Sequence, residues 1–134
     1  MSLTSEHRAQ CVQQLQHLAR RATGVRGVML ALRDGRPFAQ VAGDGIDTGK
    51  FAAMGSSLLA LGSSVLRELS AGALDHLLVE GVEGRLVLVR IPESGGLLIL
   101  CVLTTVDARL GLVLGQARAC AVAIGEVLRI ATRS

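Results

Sequence analysis

The chain has 134 residues, half of them hydrophobic, with a mean hydropathy of +0.49; this excludes a disordered chain and is enough to bury one sizeable core. Its aromatic residues are Phe38 and Phe51, with no Tyr or Trp, so there is no stacking platform for single-stranded nucleic acid or sugar rings. The formal charge of +3 is scattered, with only Arg20–Arg21 adjacent, whereas a nucleic-acid footprint needs basic residues clustered on one face.

Residues Thr4 to Ala22 are predicted to form a helix, with Val12, Leu15, Leu18 and Ala19 recurring at three-to-four spacing, Thr4 or Ser5 as the cap, and Gly24 just past the end. Val25 to Arg33 reads as a strand. Asp34-Gly35 is a hairpin turn, because both residues tolerate positive φ. The return strand is Pro37 to Ala42, and Pro37, which lacks a donor, suits an edge. Asp47 or Thr48 caps a second helix running to about Leu69, which Gly72 stops. Three strands follow: Asp75 to Glu80, Arg85 to Ile91, and Gly96 to Leu103. A last helix runs from about Ala108 to Ile130, with Asp107 or Thr105 as its cap.

The order is therefore α-β-β-α-β-β-β-α, an α+β chain whose short turns imply a mostly antiparallel sheet. The runs Leu86–Val89 and Leu97–Leu103 are apolar at every position, where a sheet with one wet face would alternate. Helices must therefore cover both faces. No linker or low-complexity segment interrupts the chain, and residues 1–134 are read as a single domain.

Projected at about 100° per residue, the second helix places Phe51, Ala52, Met54, Gly55, Leu58, Leu59, Leu61, Gly62, Val65, Leu66 and Leu69 over about half its circumference. Capping a sheet needs a stripe of about 100°, so part of this surface is expected to face something else. Gly55 and Gly62 lie nearly on one line. Each costs about 1 kcal/mol in a helix interior, which points to a close backbone approach, either to the sheet or to another helix. The opposite face, with Ser56, Ser63 and Arg67, is either solvated or a docking platform for a partner. The short strand around Leu77, Leu78 and Val79 has no Pro or Lys to blunt an edge, and an unprotected edge invites pairing with another chain.

No catalytic, cofactor or metal site is expected. In GDGIDTGKF, Asp44 stands where a phosphate-binding loop needs glycine and Phe51 where it needs a hydroxyl, so the segment reads as a turn and a helix cap. His7, His17 and His76 have no ligand spacing. The Ser pairs after Gly55 and Gly62 lie inside a helix and do not match a nucleophile elbow. Cys11, Cys101 and Cys120 have no CxxC spacing and sit among apolar neighbours, as free thiols in a reducing cytoplasm do. The N-terminus lacks a signal-peptide core. Gly111, Gly115, Ala119 and Ala123 form a small-residue ridge on the last helix. That ridge is expected to pack closely on the sheet, since Arg109, Arg118, Glu126 and Arg129 argue against a membrane span.

In order, the segments GVRGVMLALRDGRPFAQ, DTGKFAAMGSSLLALGSSVLREL, LDHLLVEGVEGRLVLVRI and LLILCVLTTVDARLGLVL resemble the Roadblock (dynein light-chain-like) family. The likeness runs from about Leu15 to Leu128. It implies a five-stranded antiparallel, profilin-like sheet with the central helix on one face and the terminal helices on the other. It implies a homodimer built from the central helix and the third strand. Combined with the helix projection, this gives an expected interface of Ala52, Gly55, Leu59, Gly62, Leu66, Leu77, Leu78 and Val79, and a possible partner face of Ser56, Ser63 and Arg67. The resemblance also implies a regulator or scaffold for a small Ras-like GTPase, assisting it without catalytic residues of its own. Bacterial members commonly serve polarity or motility. Two other readings stay open: a PAS- or profilin-like small-molecule sensor, and a purely structural assembly subunit.

Overall fold

The computed structural model describes residues 3–92 and 94–133. Thr4 opens the first helix, α1 (Ser5–Arg21), with a capping box: its hydroxyl accepts from the His7 amide, and the His7 ring accepts from the Thr4 amide. The first hairpin is β1 (Val25–Leu32) and β2 (Pro37–Ala42), followed by α2 (Thr48–Glu68). Asp47 caps α2 by accepting from the Lys50 amide at 3.1 Å, so GDGIDTGKF is a turn and a cap. Then come β3 (His76–Glu80), β4 (Arg85–Arg90), β5 (Leu98–Thr104) and α3 (Leu110–Arg133).

All strand pairs are antiparallel, in the order β2-β1-β5-β4-β3. The sheet therefore has β2, with Pro37, at one edge and β3 at the other. The uninterrupted apolar runs take the centre: β1 and β5 are buried along nearly their whole length. Alternate residues feed two cores. Met29, Ala31, Leu88, Ile99 and Cys101 face α2 with Phe51, Ala52 and Leu59. Val28, Leu30, Val87, Val89, Leu100 and Val102 face α1 and α3, meeting Leu15, Leu18, Val113, Ile124 and Leu128. One helix covers the first face and two the second, as a sheet with two dry faces requires.

Several boundaries differ from the sequence reading, each for a local reason. Gly72 does not stop α2; Ser70 does, at φ 52°. The Ser70 amide donates to Arg67 and the Ala71 amide to Leu66, the paired bonds of a Schellman end. The left-handed position thus carries a serine where glycine would be unstrained. Ser70→Gly is expected to raise unfolding free energy by about 1 kcal/mol, read as a shifted urea midpoint with unchanged slope. β5 starts at Leu98 rather than Gly96, because Gly95 and Gly96 both take positive φ, which no strand can include. α3 starts at Leu110 rather than Ala108, which lies in a bend where its carbonyl accepts from the Arg85 guanidinium at 2.7 Å.

The small-residue ridge of α3 is also placed differently. Gly111 and Gly115 face open space and Ala119 is exposed, while Ala123 is half-buried. The close contact of this helix is made by Gly125, whose missing Cβ would lie 2.6 Å from the Pro92 carbonyl oxygen. Residues Leu110–Arg129 are long and apolar enough to cross a bilayer by length and composition, but Val113, Ala117, Ala121, Ile124 and Leu128 of that stretch are in the core.

Candidate protein-interaction site

Helix α2 carries three longitudinal faces. Phe51, Ala52, Gly55 and Leu59 are buried against the chain's own sheet. The contact is closest at Gly55, where an added Cβ would lie 2.8 Å from the Cys101 sulfur. This revises the expected interface. Ala52, Gly55 and Leu59 serve the intramolecular core, and Leu66 packs against the same core from a half-buried position. Of the two glycines, Gly55 marks the approach to the sheet, because a helix lying flat on strands comes nearest where there is no side chain. Gly62 has room, with the Leu74 and Leu77 side chains at van der Waals distance.

A second face turns the remaining apolar residues outward. Met54 is 60 % exposed, Leu61 64 %, Val65 48 % and Leu69 71 %, with Leu58 half-buried beside them. These five recur at three-to-four spacing and make one continuous row. Next to it, Leu58, Leu61, Val65 and Leu66 of α2 and Leu74 and Leu77 before and on β3 line an open apolar groove of about 410 Å³. Isolated exposed leucines are ordinary, but a contiguous row bordered by an apolar groove marks an interaction surface.

The row meets a bare sheet edge. β3 pairs with β4 along one side, and among the described strands nothing pairs with its other side. Its side chains alternate: Leu77 packs with the α2 core and Leu78 with the α1–α3 core, while Val79 is exposed. Of the expected interface, Leu77 and Val79 therefore lie beside the apolar row, and Leu78 contributes through its backbone position on the edge. The exposed apolar residues outside that expected set are Met54, Leu61, Val65 and Leu69. They lay inside the predicted apolar arc. Side-chain size gave no signal, since the bulky Phe51 and Leu59 are seated together with Ala52 and Gly55.

The third face is polar. Ser56, assigned to a partner face, is buried at 8 % exposure. Its hydroxyl donates to the Arg33 carbonyl at 2.7 Å, and so ties α2 to the first hairpin. Ser63 is half-buried and Arg67 is exposed, its guanidinium donating to Ser64.

Two further clusters hold titratable groups. Arg118 of α3 makes a bidentate contact with Asp75, and His76 lies 3.0 Å from the same carboxylate. The hydrogen bonds from Arg118 and His76 hold the Asp75 carboxyl well below the usual range. This exposed pair straps α3 to the segment entering β3, at little gain in stability. Cys11, Cys101 and Cys120 are free and buried; burial pushes their thiols up to about 11, 12 and 12. A thiol kept protonated in this way is a poor nucleophile.

The family model for the Roadblock/LC7 domain matches residues 11–104, from α1 to the end of β5. No curated protein matches. Among solved structures, an MglB with tetrameric arrangement superposes with a TM-score of 0.86 at 18 % identity, covering 98 % of this chain and 96 % of that one. The gliding protein MglB from Thermus thermophilus gives 0.83 at 16 % identity, covering 96 % of both chains. Myxococcus xanthus MglB gives 0.84 at 16 % identity, covering 96 % of this chain and 95 % of that one. Identities this low carry the fold alone, but the family match spans both sheet edges, α2 and its apolar row, and by it this chain belongs to the Roadblock/LC7 family.

Proposed function

We propose that this protein is a non-catalytic homodimer that binds a small Ras-like GTPase in the cytoplasm and regulates or scaffolds it. The observation that carries the reading is the exposed row Met54, Leu58, Leu61, Val65 and Leu69 beside the bare β3 edge. A two-fold axis beside β3 would lay two α2 helices against each other and join two β3 edges into one sheet. Such an isologous contact buries both liabilities at once. Membership of the Roadblock/LC7 family supports a regulator of this kind, and the gliding role named for the similar Thermus MglB fits a GTPase-controlled motility system. The core use of α3 supports a protein that is not inserted in a membrane.

The small-molecule-sensor reading is disfavoured by one contact. Gly55 seats α2 directly on Cys101, where a ligand under the central helix would have to lie.

Titration of the Ras-like GTPases of the same genome, each loaded with GDP and with a non-hydrolysable GTP analogue, tests the proposal by isothermal calorimetry. At least one is expected to bind with a micromolar or tighter Kd and to prefer one nucleotide state. Absence of binding to all of them in both states would sink the GTPase reading while leaving the dimer untouched.

A further inference from the structure

We propose that the groove between the polar face of α2 and the β4–β5 loop binds an extended acidic segment of a partner protein, its carboxylates held by Arg33 and Arg90. The groove has a volume of about 430 Å³. One wall is α2 at Ser56, Ala60 and Ser63, the other is the loop at Gly95–Gly96, and Leu59 and Ile99 lie at its floor.

The sheet places the two arginines. On β1, Met29 and Ala31 face the α2 layer, and on β4 so does Leu88. Alternation carries Arg90, two residues after Leu88, to that face, and Arg33, just past the end of β1, lines the same groove. β5 runs between those strands: Ile99 is paired with Ala31 on one side and with Arg90 on the other, and the Arg33 amide donates to the Leu97 carbonyl at 2.9 Å. Arg90 thus lies two strand spacings from Ala31, and Arg33 two residues further along, which separates the two positions by about 12 Å. An extended peptide covers that distance in about four residues, and side chains at i and i+4 share one face, so carboxylates at those positions reach both guanidinium groups.

The charges are available for a partner. Arg36, Arg85 and Arg118 each have a carboxylate partner. The guanidinium groups of Arg33 and Arg90 have no ion pair or hydrogen bond among the described residues, and both side chains are exposed. Arginine suits a carboxylate because its planar fork can bond both oxygens. Between the two positions the floor is apolar and the loop wall has no side chains at Gly95 and Gly96, both of which face open space. Groove and charges together fit a segment with an acidic residue at each end and an apolar one between. In helical projection Ser56, Ala60 and Ser63 lie opposite Met54, Leu61 and Val65, so the groove is separate from the apolar row and does not rest on the dimer or the GTPase.

The test uses the full chain, ¹⁵N-labelled, titrated with the blocked peptide Gly-Glu-Ala-Leu-Ala-Glu-Gly and with its Gln-for-Glu and Lys-for-Glu counterparts. Saturable shifts are expected at the amides of Ser63, Gly95 and Gly96 with the acidic peptide. Arg33→Glu plus Arg90→Glu is expected to weaken binding at least tenfold, and the Gln peptide to bind the parent correspondingly less. Both arginines are exposed, so the variant should fold, and its circular dichroism spectrum checks this. Absence of shifts at those three amides, equal binding of the neutral peptide, or shifts confined to the outer row at Met54, Leu61 and Val65 would each overturn the proposal.

Discussion

Replacing Leu61 and Val65 together by glutamate is expected to turn the proposed dimer, of about 28 kDa or twice the chain mass, into a 14 kDa monomer by light scattering at micromolar protein. Both side chains stand on the outer row of α2. A buried leucine or valine contributes about 2 kcal/mol relative to water, and two-fold symmetry makes each substitution count twice. The loss is therefore up to roughly 8 kcal/mol, before the cost of bringing carboxylates together. A micromolar or nanomolar dimer would not survive it. Because the same positions are exposed in the protomer, its own fold should be little affected, and exposed substitutions typically move stability by about 0.5 kcal/mol or less. The diagnostic result is lost mass with retained circular dichroism. A double variant that still scatters as a dimer would exclude the row as the seam.

Gly125→Ala should destabilise the protein by about 2 kcal/mol, although alanine is the better helix former by about 1 kcal/mol. The added methyl would lie 2.6 Å from the Pro92 carbonyl oxygen and 3.3 Å from its carbon. The obstacle is backbone, which cannot rotate out of the way as a side chain end can, so α3 or the segment after β4 must shift. Gly111→Ala and Gly115→Ala are the matched controls. They lie in the same helix but face open space, and should each stabilise by roughly 0.5–1 kcal/mol. Guanidinium unfolding at fixed protein concentration reads all three, the concentration being held because dimerisation contributes to apparent stability. A Gly125→Ala variant as stable as the parent would mean that helix and loop do not meet there.

These two experiments probe places where sequence reasoning stopped short. Periodicity at α2 showed more apolar surface than one sheet needs. It did not show which half would be seated, because 3.6-residue spacing fixes relative angles and not the direction of the neighbouring layer. Phe51, Ala52, Gly55 and Leu59 went inward and Met54 and Leu61 outward, with the helix nearest the strands at Gly55, where no side chain intervenes. The ridge at Gly111 and Gly115 misled for the same reason: spacing identified a line of small residues, and the packing of α3 against α1 and the sheet turned that line to solvent. Gly125, which does make the tight contact, stood outside the ridge and had no local signal, since its partner Pro92 belongs to a loop distant in sequence.

What the sequence determined by itself was local and periodic. The order of helices and strands, the turn at Asp34-Gly35 (where Gly35 takes positive φ but Asp34, contrary to expectation, does not), the Asp47 cap, and the double burial of the strands at Leu86–Val89 and Leu97–Leu103 all follow from dihedral preference and from where apolar residues recur. Tertiary structure alone decided the strand order β2-β1-β5-β4-β3, which leaves β3 at an edge beside the apolar row, removes Ser56 from the surface, and carries Arg33 and Arg90 to the same groove on either side of β5. Those outcomes depend on contacts between residues far apart in the chain, and no local preference encodes which distant surface will arrive.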